Sequence, residues 1–120
     1  MTVWRLSWRM NNKMGLLTMC RKAGKLKLGM DMTKTSCNSG EAVAVFVATD
    51  FSPKSLKEVK FVCHRAEIPI FSLGVTMDDM WYGIGKRVGV ITITDSGFAK
   101  SCAKGLDEIE IDENEFYSSI

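Results

Sequence analysis

The sequence predicts an α/β protein, a three-layer α/β/α sandwich around a central four-stranded mixed sheet. Three observations carry this. Two nearly continuous apolar runs, "AVAVFVA" at 42–48 and "VGVITIT" at 88–94, are rich in β-branched residues, as strands buried on both faces must be. Segments with apolar residues at helical spacing alternate with these runs and with two shorter strand-like stretches. Turn and cap residues (Ser, Thr, Asp, Asn, Gly) mark most of the junctions.

Taken in order, Asn11 or Asn12 caps a first helix whose Met14, Leu16, Leu17, Cys20 and Ala23 face inward, with Arg21 and Lys22 near its end before Gly24. "KLKL" at 25–28 is a short strand, and a polar helix begins near Gly29. After the central strand, Ser52 and Pro53 open a helix with Leu56, Val59, Val62, Cys63 and Ala66 inside, since proline suits the first helical position. "IPIFSL" at 68–73 is a strand that Pro69 assigns to an edge or a strand start. Thr76 and Asp79 form a capping box for a short helix ending near Gly83. "VGVITIT" follows, and Asp95 caps a last helix with Phe98, Ala99, Cys102 and Ala103 inward until Gly105.

The predicted domain spans residues 11–106. Residues 1–10 alternate Trp4, Leu6 and Trp8 with Arg5, Ser7 and Arg9, a period of two too short for a signal peptide, and read as an appended leader from an upstream start. Residues 107–120 read as an acidic tail: Asp107, Glu108, Glu110, Asp112, Glu113 and Glu115 give it −6, while the preceding chain sets 16 bases against 8 acids, a balance of +8. So basic a body points to an anionic partner, with the tail as a competitor for its site or as a solubility feature.

Composition narrows the function further. No stretch of the chain reaches the apolar length of a membrane helix. Cys20, Cys37, Cys63 and Cys102 are scattered without a Cys-x-x-Cys pair, so they read as buried small hydrophobes of a protein in the reducing cytoplasm, with no metal and no cofactor implied. His64, the one histidine, falls near the end of a helix, where a cation suits the dipole. "GIGKRVG" lacks the P-loop spacing and precedes a strand, where a dinucleotide loop would follow one. No enzymatic constellation emerges.

The polar stretch "GKLKLGMDMTKTSCNSG", Gly24 to Gly40, calls for another explanation. A helix starting at Gly29 points free amides and its positive dipole end outward, an arrangement that binds phosphate. Asp31, Lys34, Thr35 and Asn38 then share one side, where a carboxylate and an ammonium can read base edges. Lys25 and Lys27, with Arg21 and Lys22, add backbone attraction. "GKRVG", with Lys86 and Arg87 between glycines, is a second phosphate-binding element, or an ordinary connection. A solvated helix with a chance Asp and Lys pairing is the competing reading.

"LLTMCRKAGKLKLGMD", "AVFVATDFSPKSLKEV", "IPIF" and "GIGKRVGVITITDSGFAK", in this order between about Met14 and Leu106, resemble the kink-turn RNA-binding ribosomal protein superfamily, the L7Ae group, and especially its small bacterial YlxQ-like members. The resemblance implies the same α/β/α sandwich and recognition of sharply bent RNA with tandem sheared G·A pairs, through Gly29 to Lys34 and Gly85 to Gly89. A bend of that kind would expose guanine edges that an A-form helix hides.

The family signature runs Gly, any residue, Asn, Glu, any residue, Thr, Lys. Aligned from Thr33 and Lys34, the lysine matches, Asp31 stands for the glutamate, Met30 replaces the asparagine, and Gly29 comes one position late. The resemblance thus implies a non-enzymatic RNA-binding protein for structured RNA, ribosomal RNA included. Its site residues are Lys25, Lys27, Gly29, Asp31, Lys34, Thr35, Lys86, Arg87 and Val88, with the basic loop favouring phosphate contact. Two alternatives stay open: a protein-interaction module of the same fold, and an independent substrate-binding domain of an RNA-modifying enzyme. Oligomeric state is left undetermined.

Overall fold

The computed structural model describes residues 13–112 and 114–117. The leader and the Asn11 or Asn12 cap lie outside the described residues. Helix α1 covers 13–22, followed by β1 (Leu26–Leu28), α2 (Met30–Ser39), β2 (Ala44–Val47), α3 (Pro53–Ala66), β3 (Ile70–Ser72), α4 (Met77–Ile84), β4 (Val90–Ile93), α5 (Ser96–Ala103) and α6 (Asn114–Tyr117).

The four strands form one mixed sheet in the order β1-β4-β2-β3. β4 runs antiparallel to both neighbours, with Leu28 opposite Ile91 and Val45 opposite Thr92, while β2 and β3 are parallel. Alternation along the central strands divides the core in two. Ala44, Phe46, Ile91 and Ile93 pack with Leu17, Cys20, Met80, Ile84, Ala99 and Cys102 from α1, α4 and α5. Val45, Val47 and Val90 meet Cys37 of α2 and Val59 and Cys63 of α3 on the other face. Three layers result, as the apolar runs predict.

Local chemistry fixes the ends. Ser52 accepts from the Ser55 amide at 3.5 Å, and the Asp95 carboxylate accepts from the Phe98 amide at 2.9 Å. Both halves of the Thr76 and Asp79 capping box are present, at 2.9 and 3.1 Å. Helix α4 ends at Ile84, beside Gly83 as expected, and Gly85 with φ 74° supplies the left-handed turn. Gly83 also serves packing: a Cβ there would stand 2.3 Å from the Met14 sulfur. Ala23, expected inside, is exposed, because α1 stops at 22 and the turn at Gly24 carries it outward.

The acidic segment begins as part of the fold. The Ser72 amide donates to the Asp107 carbonyl (2.9 Å) and the Ile109 amide to that of Ile70 (2.8 Å), so 107–109 pair with the outer edge of β3. Ile109 and Ile111 pack against the α3 side of the core, and Phe116 meets Phe61 edge-on at 5.3 Å between ring centres. Residues 107–109 thus lie at the sheet edge opposite β1, while α6 returns over α3, where Phe116, Phe61 and Glu58 line one shallow cleft.

Candidate nucleic-acid interface

The sequence places two candidate elements far apart in the chain, and the sheet brings them together. Because β1 pairs with β4, the Gly29 amide donates to the Val90 carbonyl at 3.0 Å. The start of α2 therefore sits beside the end of the loop 85–89. Gly29 passes the chain from strand to helix without a linker by adopting φ 91° and ψ 171°, a region glycine alone enters freely. Among the described residues no side chain caps this helix, which leaves its first amides for an anion.

Helix α2 turns out to be polar on its inner face as well. Thr33 and Ser36 are buried with Cys37, and the Thr92 hydroxyl of β4 donates to the Thr33 hydroxyl at 2.8 Å. Burial thus accounts for two of the polar residues that sequence reasoning assigned to solvent. Small side chains here let the helix lie close on the sheet. Met30, which stands where the signature has asparagine, is half-buried and packs with the α3-side core.

Asp31 and Thr35 are exposed on α2's outer side. Lys34, with its side chain 38% exposed, forms an ion pair with Glu58 of α3. Its charge is therefore partly answered from within the protein, which spacing along α2 could not reveal.

In the basic loop, Lys86 and Arg87 are exposed while both flanks are fixed. Arg87 Nε donates to Asp78 Oδ1 of α4 at 3.0 Å. Val88 is half-buried against the α1-side core, and the Gly89 carbonyl accepts from the Ala48 amide at 2.9 Å. A Cβ on Gly89 would lie 2.1 Å from the Phe51 ring, so only glycine lets the loop pass there unshifted. The loop's backbone is held, and its two cations project from it.

Gly29, Asp31, Lys86 and Arg87 thus share one end of the sheet. Lys27 lies midway along the β1 edge opposite Thr92, and Lys25 lies beyond the far end of β1, where its carbonyl accepts from the Thr94 amide and Glu41 lines the same shallow cleft. Lys25 is the candidate furthest from the loop. Sequence reasoning missed two residues here, the aromatic pair Trp81 and Tyr82, and it did not foresee where Arg21 is held. Arg21 Nη1 donates to the Ile84 carbonyl at 2.6 Å, tying α1 to the end of α4, and Trp81 and Tyr82 stand exposed on α4. Their signal was an aromatic pair outside the Met77, Met80, Ile84 stripe.

The thiols form no such site. All four cysteines are free and buried. Burial, then the Asp95 charge, pushes Cys20 up to about 11. Burial also pushes Cys102 up to about 11 against the opposing pull of Lys13. Cys63 is raised by its hydrogen bond with Cys37 and then by burial. Among the described residues no group of His, Cys, Asp and Glu could hold a metal ion, and no helix is long and apolar enough to cross a membrane.

Fold and site define a class: small α/β/α domains in which the uncapped start of one helix meets a basic glycine-flanked loop. Residues 12–103 match the ribosomal protein L7Ae/L30e/S12e/Gadd45 family, and the chain belongs to it. It is 37% identical over 87 residues to the RNA-binding protein YlxQ of Enterococcus faecium, an alignment covering 72% of this chain and 84% of that one. Its fold is similar to that of a protein of unknown function from Bacillus halodurans, with a TM-score of 0.69 and 24% identity, over 77% of this chain and 93% of the other.

Proposed function

We propose that this chain is a non-enzymatic RNA-binding protein of the cytoplasm that recognises kink-turn-like structured RNA, ribosomal RNA being the leading source. The observation that carries the reading is the Gly29 to Val90 hydrogen bond, which sets an uncapped helix start beside Lys86 and Arg87. Family membership and the similarity to an RNA-binding protein support it.

In this reading the first amides of α2 after Gly29 meet a phosphate, Asp31 and Lys34 contact base edges with Thr35 beside them, and Lys86 and Arg87 hold the backbone across the bend. Lys27 and Lys25 extend the attraction along β1. Val88 buttresses the loop from inside. The four buried thiols fit a reducing compartment.

Gel-shift titration at two salt concentrations, with a bent duplex containing tandem G·A pairs and a straight duplex of the same length, tests the proposal. Preference for the bent RNA is expected. Lys34→Ala should weaken binding by about 1–3 kcal/mol if it reads a base, whereas Lys86→Ala should chiefly flatten the salt dependence. Equal binding of both duplexes, unaffected by either substitution, would refute it.

A further inference from the structure

The outer face of α4 carries side chains that neither the core nor the residues assigned above account for. Trp81 is 56% exposed and Tyr82 is 85% exposed, a large apolar area to leave in water. With Asp78 they share one side of the helix at spacings of three and four, opposite Met77, Met80 and Ile84.

Cations from two other elements frame this pair. Arg87 of the basic loop is held over the same face by its bond to Asp78, which offsets that charge, while the Asp50 and Asp79 carboxylates at the start of α4 accept from the Met77 and Thr76 amides. Arg21 of α1 is fixed at the other end by its bond to the Ile84 carbonyl, and Lys86 follows directly after the helix. Aromatic rings interleaved with cations are the arrangement by which proteins stack unpaired bases while neutralising the adjoining phosphates. Charge favours RNA as the occupant, because its phosphates answer the three cations while its bases supply flat faces for both rings.

We infer that Trp81 and Tyr82 form a stacking subsite for unpaired bases of the bound RNA, next to the loop that grips its backbone. This rests on the RNA-binding reading above and extends it from α2 and the loop to α4. Stacking is indifferent to base identity, so the subsite adds affinity for looped over fully paired RNA without choosing a sequence.

The full chain, Trp81→Ala, Tyr82→Ala and Trp81→Phe would be titrated against two synthetic RNAs at two salt concentrations. One is a duplex with a short bulge beside tandem G·A pairs, and the other is identical but abasic at the bulge. Each alanine substitution should weaken the bulged RNA by on the order of tenfold, with an unchanged salt slope, because a stacked base carries no counterion with it. On the abasic RNA the loss should nearly vanish, and Trp81→Phe should retain most of the affinity.

Equal losses on the two RNAs, or no loss on either, would overturn the subsite. Lys34→Ala and Lys86→Ala, tested in parallel, separate the two claims. If they weaken binding while the aromatic substitutions do not, the RNA reading stands and the stacking subsite falls. Should the unaltered chain bind neither RNA, both fall together. Concentration-dependent self-association abolished by Trp81→Ala, with RNA binding untouched, would assign the face to a second copy of the chain instead.

Discussion

The hydroxyl of Thr92, in the middle of β4, donates to the hydroxyl of Thr33 on α2 at 2.8 Å, with both side chains fully buried. This one contact seats the candidate reading helix on the central sheet. Thr33→Val should cost about 1–3 kcal/mol, because the Thr92 donor is then buried without an acceptor. Replacing both by valine should restore much of that loss, since two apolar groups of matching shape need no partner. Urea unfolding of the two single variants and the double variant checks it, and additive losses would argue against a shared bond.

Lys34 and Glu58 pose a different question, for in the proposed reading their pairing competes with RNA. An exposed pair of this kind contributes about 0–1 kcal/mol to stability. Glu58→Gln should therefore leave thermal unfolding nearly unchanged. It should also tighten binding to a bent RNA several-fold at low salt, by freeing the ammonium and removing a nearby negative charge. Weaker RNA binding by this variant would mean that Glu58 orients Lys34 and does not restrain it.

Two glycines of the interface are required for opposite reasons. At Gly29 there is room for a Cβ, but φ of 91° is strained for any other residue, so Gly29→Ala should cost about 1–3 kcal/mol and tilt the start of α2. At Gly89 the space itself is taken by Phe51. Gly89→Ala should cost a similar amount, about 1–3 kcal/mol, through overpacking. Pairing it with Phe51→Leu should relieve the clash, whereas no change at Phe51 should rescue Gly29→Ala. Denaturant titration of these combinations separates backbone strain from crowding.

What the sequence made legible follows from how locally each feature is determined. The β-branched runs of β2 and β4, the caps at Ser52, Thr76 and Asp95 and the basic pair Lys86 and Arg87 depend on neighbours in the chain, and each stands where the pattern put it. Gly83 marks the end of α4 to within one residue, but that it also admits Met14 is a tertiary fact. Thr33 and Ser36 misled because small polar side chains satisfied by close partners are buried as readily as alanine. Glu58 as a partner for Lys34, and Arg21 as a partner for the end of α4, are tertiary facts with no trace in spacing. The first strand and the short α6 lie at the limit of length for any periodic signal.

The buried thiols make a prediction about alkaline pH. Folding holds Cys20 and Cys102 in neutral form, with values raised from 9.0 to about 11. Their contribution to stability is complete below the ordinary thiol value and is lost as pH rises from about 9 toward 11. At about pH 8 their thiolate fraction in the folded protein is on the order of one in a thousand, so a thiol-specific reagent should react at the rate of unfolding. Labelling that stays slow until denaturant is added is the expected result, and rapid reaction of all four cysteines in the native protein would contradict it.

Removing the acidic segment after Leu106 tests whether it is a competitor for RNA or a part of the fold. Asp107 and Ile109 pair with the β3 edge, and Ile109 and Ile111 are half-buried beside α3. Full burial of an isoleucine is worth about 1.5–3 kcal/mol, so truncation should cost roughly 2–3 kcal/mol for the pair. It also uncovers the edge of β3, which invites edge-to-edge association, and bares the Phe61 ring on α3. Chain elution and light scattering should show that tendency at high concentration. RNA affinity should rise only modestly and only at low salt, because exposed acids act through a screened charge. A large gain that survives at high salt would instead place the segment in the binding site itself.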